Sequence, residues 1–318
     1  MFTRKIMIEL RRYSPADKKI WDKIVKDSKT DTFLFYRDYM DYHATRFNDC
    51  SFIIYKNHYP AAVIPGNICG NTYYSHQGLT YGGLVITKKN GTGDVLAVFD
   101  LLISELKNLG IKEVIYKPVP YIYQLIPSQE EIYALYKHNA VKVGCNISST
   151  IVLLDKIAFT ESRKCGIRKS KGEGVIIEEC QDFGTFWELL KENLKKKHAT
   201  TPVHTADEML LLKKKFPENI VLFGAKTNNR LIGGAVLYIM KKIVHVQYIA
   251  ASDTGKRLGA LDLLFDELIN RRFLTHFYFD FGHSTEQMGN LLNKDLLFQK
   301  EGFGGRGVVY DIYKLGLV

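Results

Sequence analysis

The residues best placed to do chemistry lie where an apolar strand runs through a glycine-bearing turn into a helix. Ile243-Val-His-Val-Gln-Tyr-Ile-Ala-Ala-Ser252 reads as a strand. Asp253-Thr-Gly255-Lys256-Arg257-Leu-Gly259-Ala260 follows, and Leu261 to Leu268 has the apolar period of a helix. A strand that feeds a helix through glycines leaves amide N–H groups unpaired at the helix start, and the helix dipole adds partial positive charge there. A phosphate or pyrophosphate suits that corner. The expected ligand is a phosphate-bearing acyl donor, held by exposed amides near Gly255 and Gly259.

Other residues could act on such a donor. Asp280 sits among aromatics in the run Tyr278-Phe-Asp280-Phe-Gly282, where a carboxylate must be paired or desolvated. His283 is a base that works near neutral pH. Glu286 falls in the first turn of a helix expected over Glu286 to Phe298, capped by Ser284 or Thr285. On the strand before the glycine turn, alternation sends Gln247 and Tyr248 to opposite faces and puts His245 with Gln247. One of Gln247 and Tyr248 therefore faces a cleft. His198, Pro202 and His204 follow the run Lys195-Lys196-Lys197 and join two expected helices. In the first half, Ser75, His76 and Gln77 precede Tyr81 and Gly82-Gly83. Ser75 and His76 are neighbours on an extended chain and face apart, so no Ser–His nucleophile is expected. The histidines have no metal-ligand spacing, and no metal is expected.

These residues hang on a chain of 318 residues, 46% hydrophobic and 25% charged, which is ordinary globular composition. At about 150 residues per domain, two domains are expected. The net charge of +10 fits phosphorylated metabolites, nucleic acid or anionic headgroups as partners, or a solvated surface. The five cysteines, Cys50, Cys69, Cys145, Cys165 and Cys180, are widely spaced and odd in number. That argues against a zinc ribbon or disulfide framework and suits a reducing, cytoplasmic setting. No run of 18 apolar residues is present and the N-terminus has no apolar h-region, so neither a membrane span nor a signal peptide is expected.

Periodicity gives each half the order β-α-α-β-β-β-α-β-α-β. The first half opens with a strand over Ile6 to Arg11 and a helix from Pro15, and contains a helix over Asp94 to Leu109 ended by Gly110. The second half has a helix from Phe183, another after the capping box Thr205–Glu208, three strands between Ile220 and Ala250, and a long helix over Leu258 to Arg271. Between the halves, Asp155 to Gly174 carries Arg163, Lys164, Arg168, Lys169 and Lys171. This is either a solvated linker or short helix, or an anion-binding patch in which Arg grips phosphate bidentately. The fold class is mixed α+β: two tandem domains, residues 1–155 and 156–318, each a mostly antiparallel sheet flanked by helices.

The element order of the second half resembles the GNAT acyltransferase superfamily, and the tandem arrangement resembles the Fem family and FemAB-like proteins. The likeness covers nearly the whole chain. It is carried by Cys165-Gly-Ile-Arg-Lys-Ser-Lys-Gly-Glu-Gly-Val175, Gln247-Tyr-Ile-Ala-Ala-Ser252 to Gly259-Ala260, Tyr278 to Gly282, and Leu297-Phe-Gln-Lys300-Glu-Gly-Phe303-Gly304-Gly305. The Q/R-x-x-G-x-G/A loop by which GNAT enzymes wrap the pyrophosphate of acyl-CoA falls on Thr254, Arg257 and Gly259, of which only Gly259 matches. The resemblance implies a donor site built from Ile249, Ala250, Ser252, Gly255, Lys256, Arg257, Gly259 and Ala260. It implies acetyl-CoA or another acyl-CoA as donor, with the charged tRNA of Fem enzymes as the alternative.

The resemblance further implies an N-acyltransferase acting by direct attack of a primary amine in a ternary complex, the amine being an amino sugar, an amino acid or a cell-wall peptide amine. Lys300, three residues before a Phe-Gly as in the Fem pattern, stabilises the oxyanion or binds an acceptor carboxylate. Its replacement by Ala is expected to abolish turnover and leave folding intact. Asp280, His283 and Glu286 complete the catalytic set. Tyr248, Gln247, His76, Tyr81, His204 and Arg168 form the acceptor-binding set, with the first domain shaping the acceptor pocket after losing its donor site. The departures at Thr254 and Arg257 motivate a further alternative, a non-catalytic binding module on a degenerate acyltransferase fold.

Overall fold

The computed structural model describes residues 7–198 and 201–317, without the side chains of Lys197 and His198. Ile6, the expected start of the first strand, lies outside the described residues, as do the His198 side chain and Ala199-Thr200 in the expected connection between two helices. The chain forms two compact units. One comprises the chain up to Asn146, Glu286–Leu291 and the chain from Val309 on. The other comprises Ile147–Thr285 and Leu292–Val308.

In the first unit, β1 (Ile8–Arg12) is followed by α1 (Lys18–Lys26) and α2 (Arg37–Met40). Then come β2 (Asn48–Asp49), β3 (Phe52–Lys56), β4 (Tyr59–Ile64), β5 (Asn67–Cys69), β6 (Thr72–Tyr74) and β7 (Val85–Ile86). The helix α3 (Thr92–Asn108) crosses to β8 (Glu113–Tyr116), and α4 (Glu130–Lys137) follows. Strands β1, β3, β4 and β7 form an antiparallel sheet, whereas β6 lies parallel to β8. The helix α3 forms because Val95, Val98, Phe99, Leu102 and Leu106 recur at helical spacing and bury one stripe. They pack on Phe52, Ile54, Ala62 and Ile64. Gly110, at φ +75°, ends the helix in a conformation that costs glycine least.

The strand β9 (Val141–Val152) leads into the second unit, with α5 (Glu161–Gly172), β10 (Ile176–Cys180), α6 (Phe183–His198) and α7 (Ala206–Lys215). Next are β11 (Ile220–Thr227), β12 (Arg230–Ile239), β13 (Ile243–Ala251), α8 (Asp253–Leu258), α9 (Ala260–Glu267) and β14 (Tyr278–His283). The chain ends through β15 (Thr285–Glu286), β16 (Leu291–Leu292), α10 (Lys294–Glu301) and β17 (Arg306–Gly316). Within the second unit the strand order is β10-β11-β12-β13-β14-β9, antiparallel except where β13 meets β14. Within the basic stretch 155–174, residues 161–172 form the short helix that was one of its expected forms. Adjacent glycines show the layering. A Cβ on Gly233 would meet Leu261 of α9 at 3.5 Å, and one on Gly234 would meet the Phe186 ring of α6 at 3.2 Å. Successive residues of a strand point to opposite faces, so α9 and α6 cover the two sides of the sheet.

Both units follow one plan: an antiparallel meander, a helical crossover to a parallel strand, and a closing antiparallel strand. The closing strand is β17 against β8 in the first unit and β9 against β14 in the second. Each strand comes from a stretch that sequence order assigns to the other half, so the division is discontinuous.

Two expected helices take other forms. Gly259, at φ +72°, breaks the expected helix over 258–271, so that α8 and α9 are separate and a π-helical turn, Leu268–Arg272, ends the run. The expected helix at Glu286 is instead the short strand pair β15–β16, and α10 begins at Lys294 behind the cap Asn293. Among the described residues no helix is long and apolar enough to cross a membrane.

Candidate active site

The second unit is built around a split in its sheet. Strands β13 and β14 pair in parallel over three steps only, Ile243↔Tyr278, Val244↔Phe279 and His245↔Asp280. Beyond that point β13 stays paired with β12 as far as Ala251, so its other edge carries backbone groups with no strand beside them. The β12 register shifts so that Val236 faces Tyr248 and Leu237 faces Val246, which leaves Gln247 as a bulged extra residue. The strand β14 is irregular at the same level, between Asp280 and His283, with Gly282 at φ +73°.

The bulge overturns the expected faces. Val244 and Val246 belong to the core on the α9 side, so His245 points to the α6 side. Ile249 also packs on the α9 side, whereas Tyr248 meets Trp187 of α6, with ring centroids 5.1 Å apart. Tyr248, not Gln247, therefore shares the face of His245.

At the vertex of the split, His245 Nδ1 lies 2.7 Å from Asp280 Oδ2. Asp280 Oδ1 accepts from the hydroxyls of Ser148 and Thr150. Asp280 is completely buried. Burial pushes its carboxyl up, but the His245 bond and charge and the two hydroxyls outweigh this and hold it well below the usual carboxylate range. Lys300 is buried as well. Its Nζ donates to Gly282 O at 2.8 Å and to His283 O at 2.6 Å. Burial lowers its ammonium to about 8, against the raising pull of Asp280.

Further along β13, Tyr248 Oη lies 2.5 Å from His204 Nδ1, and the His204 amide donates to the same oxygen at 3.3 Å. The Trp187 indole N–H donates to His204 O at 2.9 Å. The Thr205–Glu208 capping box fixes the chain just after His204. Burial raises the Tyr248 phenol to about 12, so it remains protonated at neutral pH.

The glycine turn differs from expectation. Ser252 caps α8: its hydroxyl accepts from Gly255 N at 3.0 Å and donates to Ile232 O at 3.1 Å. The Gly259 amide donates to Lys256 O. The amides of Gly255 and Gly259 are therefore committed within the fold, and neither is exposed. Both glycines serve close packing. A Cβ on Gly255 would meet Ile232 O at 2.0 Å, and one on Gly259 would meet Gly166 O of α5 at 2.6 Å. The donors that open α9 are the amides of Ala260 and Leu261, which have no acceptor one turn back in their own helix. Ala260 and Leu261 line a cavity of about 290 Å³ with Gly255, Gly259, Arg163, Lys256, Asp262, Asp295, Phe298 and Gln299. Arg163 Nη1 pairs with Asp262 at 2.6 Å, its guanidinium stacks over Phe303 at 5.0 Å, and its Nε is buried with no acceptor. Lys256 is exposed beside Asp253, at 3.2 Å.

The structure thus groups Lys300, Asp280 and the His283 backbone with His245, a residue the sequence placed on the strand and assigned no chemistry. It also joins Tyr248 to His204. Other expected site residues lie elsewhere. Glu286 is exposed on β15, in the stretch assigned to the first unit. His76 and Tyr81 belong to the core of the first unit. His76 packs edge-on against His43 and Phe47, and burial together with the His43 charge lowers its imidazole to about 3. Tyr81 Oη lies 3.0 Å from Thr32 Oγ1 in an aromatic cluster. Ala250 and Ala260 are buried, Ile249 is half-buried, and Arg168 and Arg257 are exposed. Among the described residues no group of three or more His, Cys, Asp or Glu could hold a metal ion.

Residues 162–288 match the Acetyltransferase (GNAT) domain family. No curated protein matches the chain by sequence. Among solved structures, FemX superposes with a TM-score of 0.71 at 10% identity, covering 97% of each chain. The C-terminal domain of a putative lysylphosphatidylglycerol synthetase from Agrobacterium fabrum gives 0.59 at 13% identity, covering 95% of this chain and 92% of that one. A tandem GNAT protein from the clavulanic acid biosynthesis pathway gives 0.52 at 9% identity, covering 98% and 99%. Residues 162–288 thus carry a GNAT domain match, and the chain as a whole shares the fold of FemX and of the tandem GNAT protein.

Proposed function

We propose that the second unit transfers an acyl group from an acyl-CoA-type donor to a primary amine by direct attack, with the donor lying along the open edge of β13. The observation that carries this reading is the loss of β14 pairing after His245–Asp280. It leaves residues 246–251 without a strand on that edge, and the start of α9, which follows β13 through α8, lines a cavity. An extended amide-bearing tail can pair with such an edge as an added strand would. Its phosphates would meet the amides of Ala260 and Leu261 and the Arg163 guanidinium. Arg163 and Lys256 are balanced by Asp262 and Asp295 in the same lining, so the helix-start amides carry much of the anion affinity. Tyr248 and His204 would meet the acceptor amine. A cell-wall peptide amine fits the Fem-like fold, and an amino sugar or amino acid fits the chemistry equally.

One observation favours a charged tRNA as donor instead. Lys164, Arg168, Lys169 and Lys171 of α5 and Arg257 of α8 are solvent-facing on two helices joined by the Ser170 Oγ to Leu258 O bond of 2.7 Å. A polyanion larger than CoA would engage them.

Calorimetry with CoA, acetyl-CoA and charged tRNA separates the readings. Acetyl-CoA binding that weakens about tenfold in Arg163→Ala supports the first. Charged-tRNA binding that falls steeply between about 50 and 200 mM salt supports the second, through counterion release. Binding of none of the three would sink both.

A further inference from the structure

We propose that the first unit holds a binding site for a small apolar carboxylate that carries an amide group, in the cleft between α1 and the β4–β7 edge. The site lies in the first unit alone and does not rest on the acyl-transfer reading. The cleft forms where two strands part. β7 pairs with β4 at Ala62↔Ile86 and Val63↔Val85 only. The Thr87 amide still donates to Ala61 O at 3.0 Å, and the chain then turns back, with the Asn90 amide donating to Thr87 O at 3.2 Å. Tyr59 and Pro60, at the start of β4, are left with no β7 residue beside them. The helix α1 packs on both strands. Its Ile20, Lys23 and Ile24, with Asp27 just past its end, recur at i, i+3, i+4 and i+7, so one face looks onto the gap. The cavity enclosed has a volume of about 850 Å³, within the range of about 300–1,000 Å³ that small-molecule sites occupy.

The lining defines the ligand. Ile20, Ile24, Pro60 and Ala61 supply an apolar wall. Asn90 is 7% exposed, and its Nδ2 donates to Ala61 O at 3.3 Å and to Thr87 Oγ1 at 2.7 Å. A backbone carbonyl only accepts, so the amide of Asn90 has one orientation. No described residue donates to Asn90 Oδ1, and the Thr87 hydroxyl, which accepts from Asn90, donates to none. Side by side in the lining, the two offer one acceptor and one donor, the complement of an amide N–H and C=O. A buried side-chain acceptor without a partner is a group that a ligand can satisfy. The charges select the rest of the ligand. Lys56 is paired with Asp94 at 2.7 Å. Among the described residues Lys23, Lys89 and Asp27 form no ion pair, and all three are solvent-facing. The excess is one positive charge, which suits a monoanion better than a phosphate dianion. Among the described residues no arginine lines the cavity, so the bidentate grip that favours phosphate is missing.

The test titrates N-acetylphenylalanine, which joins an apolar ring, an amide and a carboxylate, into the full chain labelled at its isoleucine δ1-methyls. The expected result is a saturable shift of the Ile20 and Ile24 methyl resonances, with a Kd on the order of 1 mM or tighter for a ligand of this size. N-acetylphenylalaninamide lacks the charge and hydrocinnamate lacks the amide, and each is expected to bind several-fold more weakly. Lys23→Met and Lys89→Met combined remove two solvent-facing charges and leave the apolar wall in place. The Kd for N-acetylphenylalanine is expected to rise about two- to thirtyfold, the worth of two exposed ion pairs, while that for the neutral amide holds. Unmoved Ile20 and Ile24 methyls, binding indifferent to the carboxylate or to the amide, or a double variant that weakens charged and neutral ligands alike overturns the proposal. Phenyl phosphate bound more tightly than N-acetylphenylalanine overturns the choice of a carboxylate.

Discussion

Replacing Gly259 by Ala separates two explanations of a glycine-bearing turn. If Gly259 exists to let a phosphate approach the backbone, the Ala variant keeps its stability and loses donor affinity. The structure requires the opposite order of effects. At φ +72° an alanine pays the left-handed penalty of about 1–2 kcal/mol. Its Cβ would also lie 2.6, 2.8 and 2.9 Å from O, Cα and C of Gly166. All three are backbone atoms of α5, so no side chain can swing away and the helices must separate. Overpacking of this kind costs about 1–3 kcal/mol. The sum is about 2–5 kcal/mol, which at about 2–4 °C per kcal/mol for a domain of this size lowers Tm by about 4–20 °C. Scanning calorimetry without donor measures it. Gly91→Ala is the control, since Gly91 is extended and its Cβ would meet nothing within 4 Å. A Gly259→Ala Tm indistinguishable from wild type would refute the packing argument and restore phosphate access as the reason for this glycine.

Further outcomes follow from other buried groups. Burial raises the fully enclosed carboxyl of Glu131 to about 7, although it accepts from Tyr116 Oη, Leu84 N and Val119 N. Its folded value is above the unfolded one, so its contribution is present below about pH 4.5 and lost as pH rises through about 7, a change of about 3 kcal/mol. Urea midpoints of the first unit should fall across that window and Glu131→Gln should flatten the slope; a flat wild-type profile would contradict the assignment. Lys300→Ala leaves the carbonyls of Gly282 and His283 without their donor and should cost about 1–3 kcal/mol in chemical denaturation. Unchanged stability would return Lys300 to a purely chemical role. Tyr248→Phe removes the contact to His204 and should raise the acceptor KM several-fold while donor affinity holds; an effect on donor affinity alone would put Tyr248 on the other side of the reaction.

The element order was legible because it depends on local period. The stripe of α3, the Thr205–Glu208 box and the strands of the meander each announce themselves within a dozen residues. The structural part of the glycine turn was half legible: the break between strand and helix was marked, but a glycine for close packing and a glycine for ligand access look alike in sequence. Only the proximity of Ile232 and Gly166 distinguishes them. The pairing of His245 with Asp280 was not legible, since it depends on the parallel register of strands 35 residues apart. The face of Tyr248 was misread because a bulge adds one residue to a strand without any compositional signal. Arg163 stood out as a cation, yet its partner Asp262 lies 99 residues away. His76 entered the acceptor-binding set through the family resemblance, and it is buried in the first unit, packed against His43 and Phe47.

The same irregularities that hid the site from the sequence account for how it stays open. Two parallel strands that part company leave carbonyls and amides that a sheet would have paired, and buried backbone groups need partners. On β14 the carbonyls of Gly282 and His283, just past the last paired residue, are the ones exposed to that deficit. Lys300 supplies donors to both. The ammonium reaches two adjacent carbonyls at once, and its charge is favoured by Asp280. On β13 the bulge at Gln247 shifts the register so that Tyr248 and His245 come to one face. The lysine before Phe303-Gly304 and the histidine at the vertex thus belong to one arrangement. The first donates to the β14 carbonyls just past the split, and the second occupies the point where it begins.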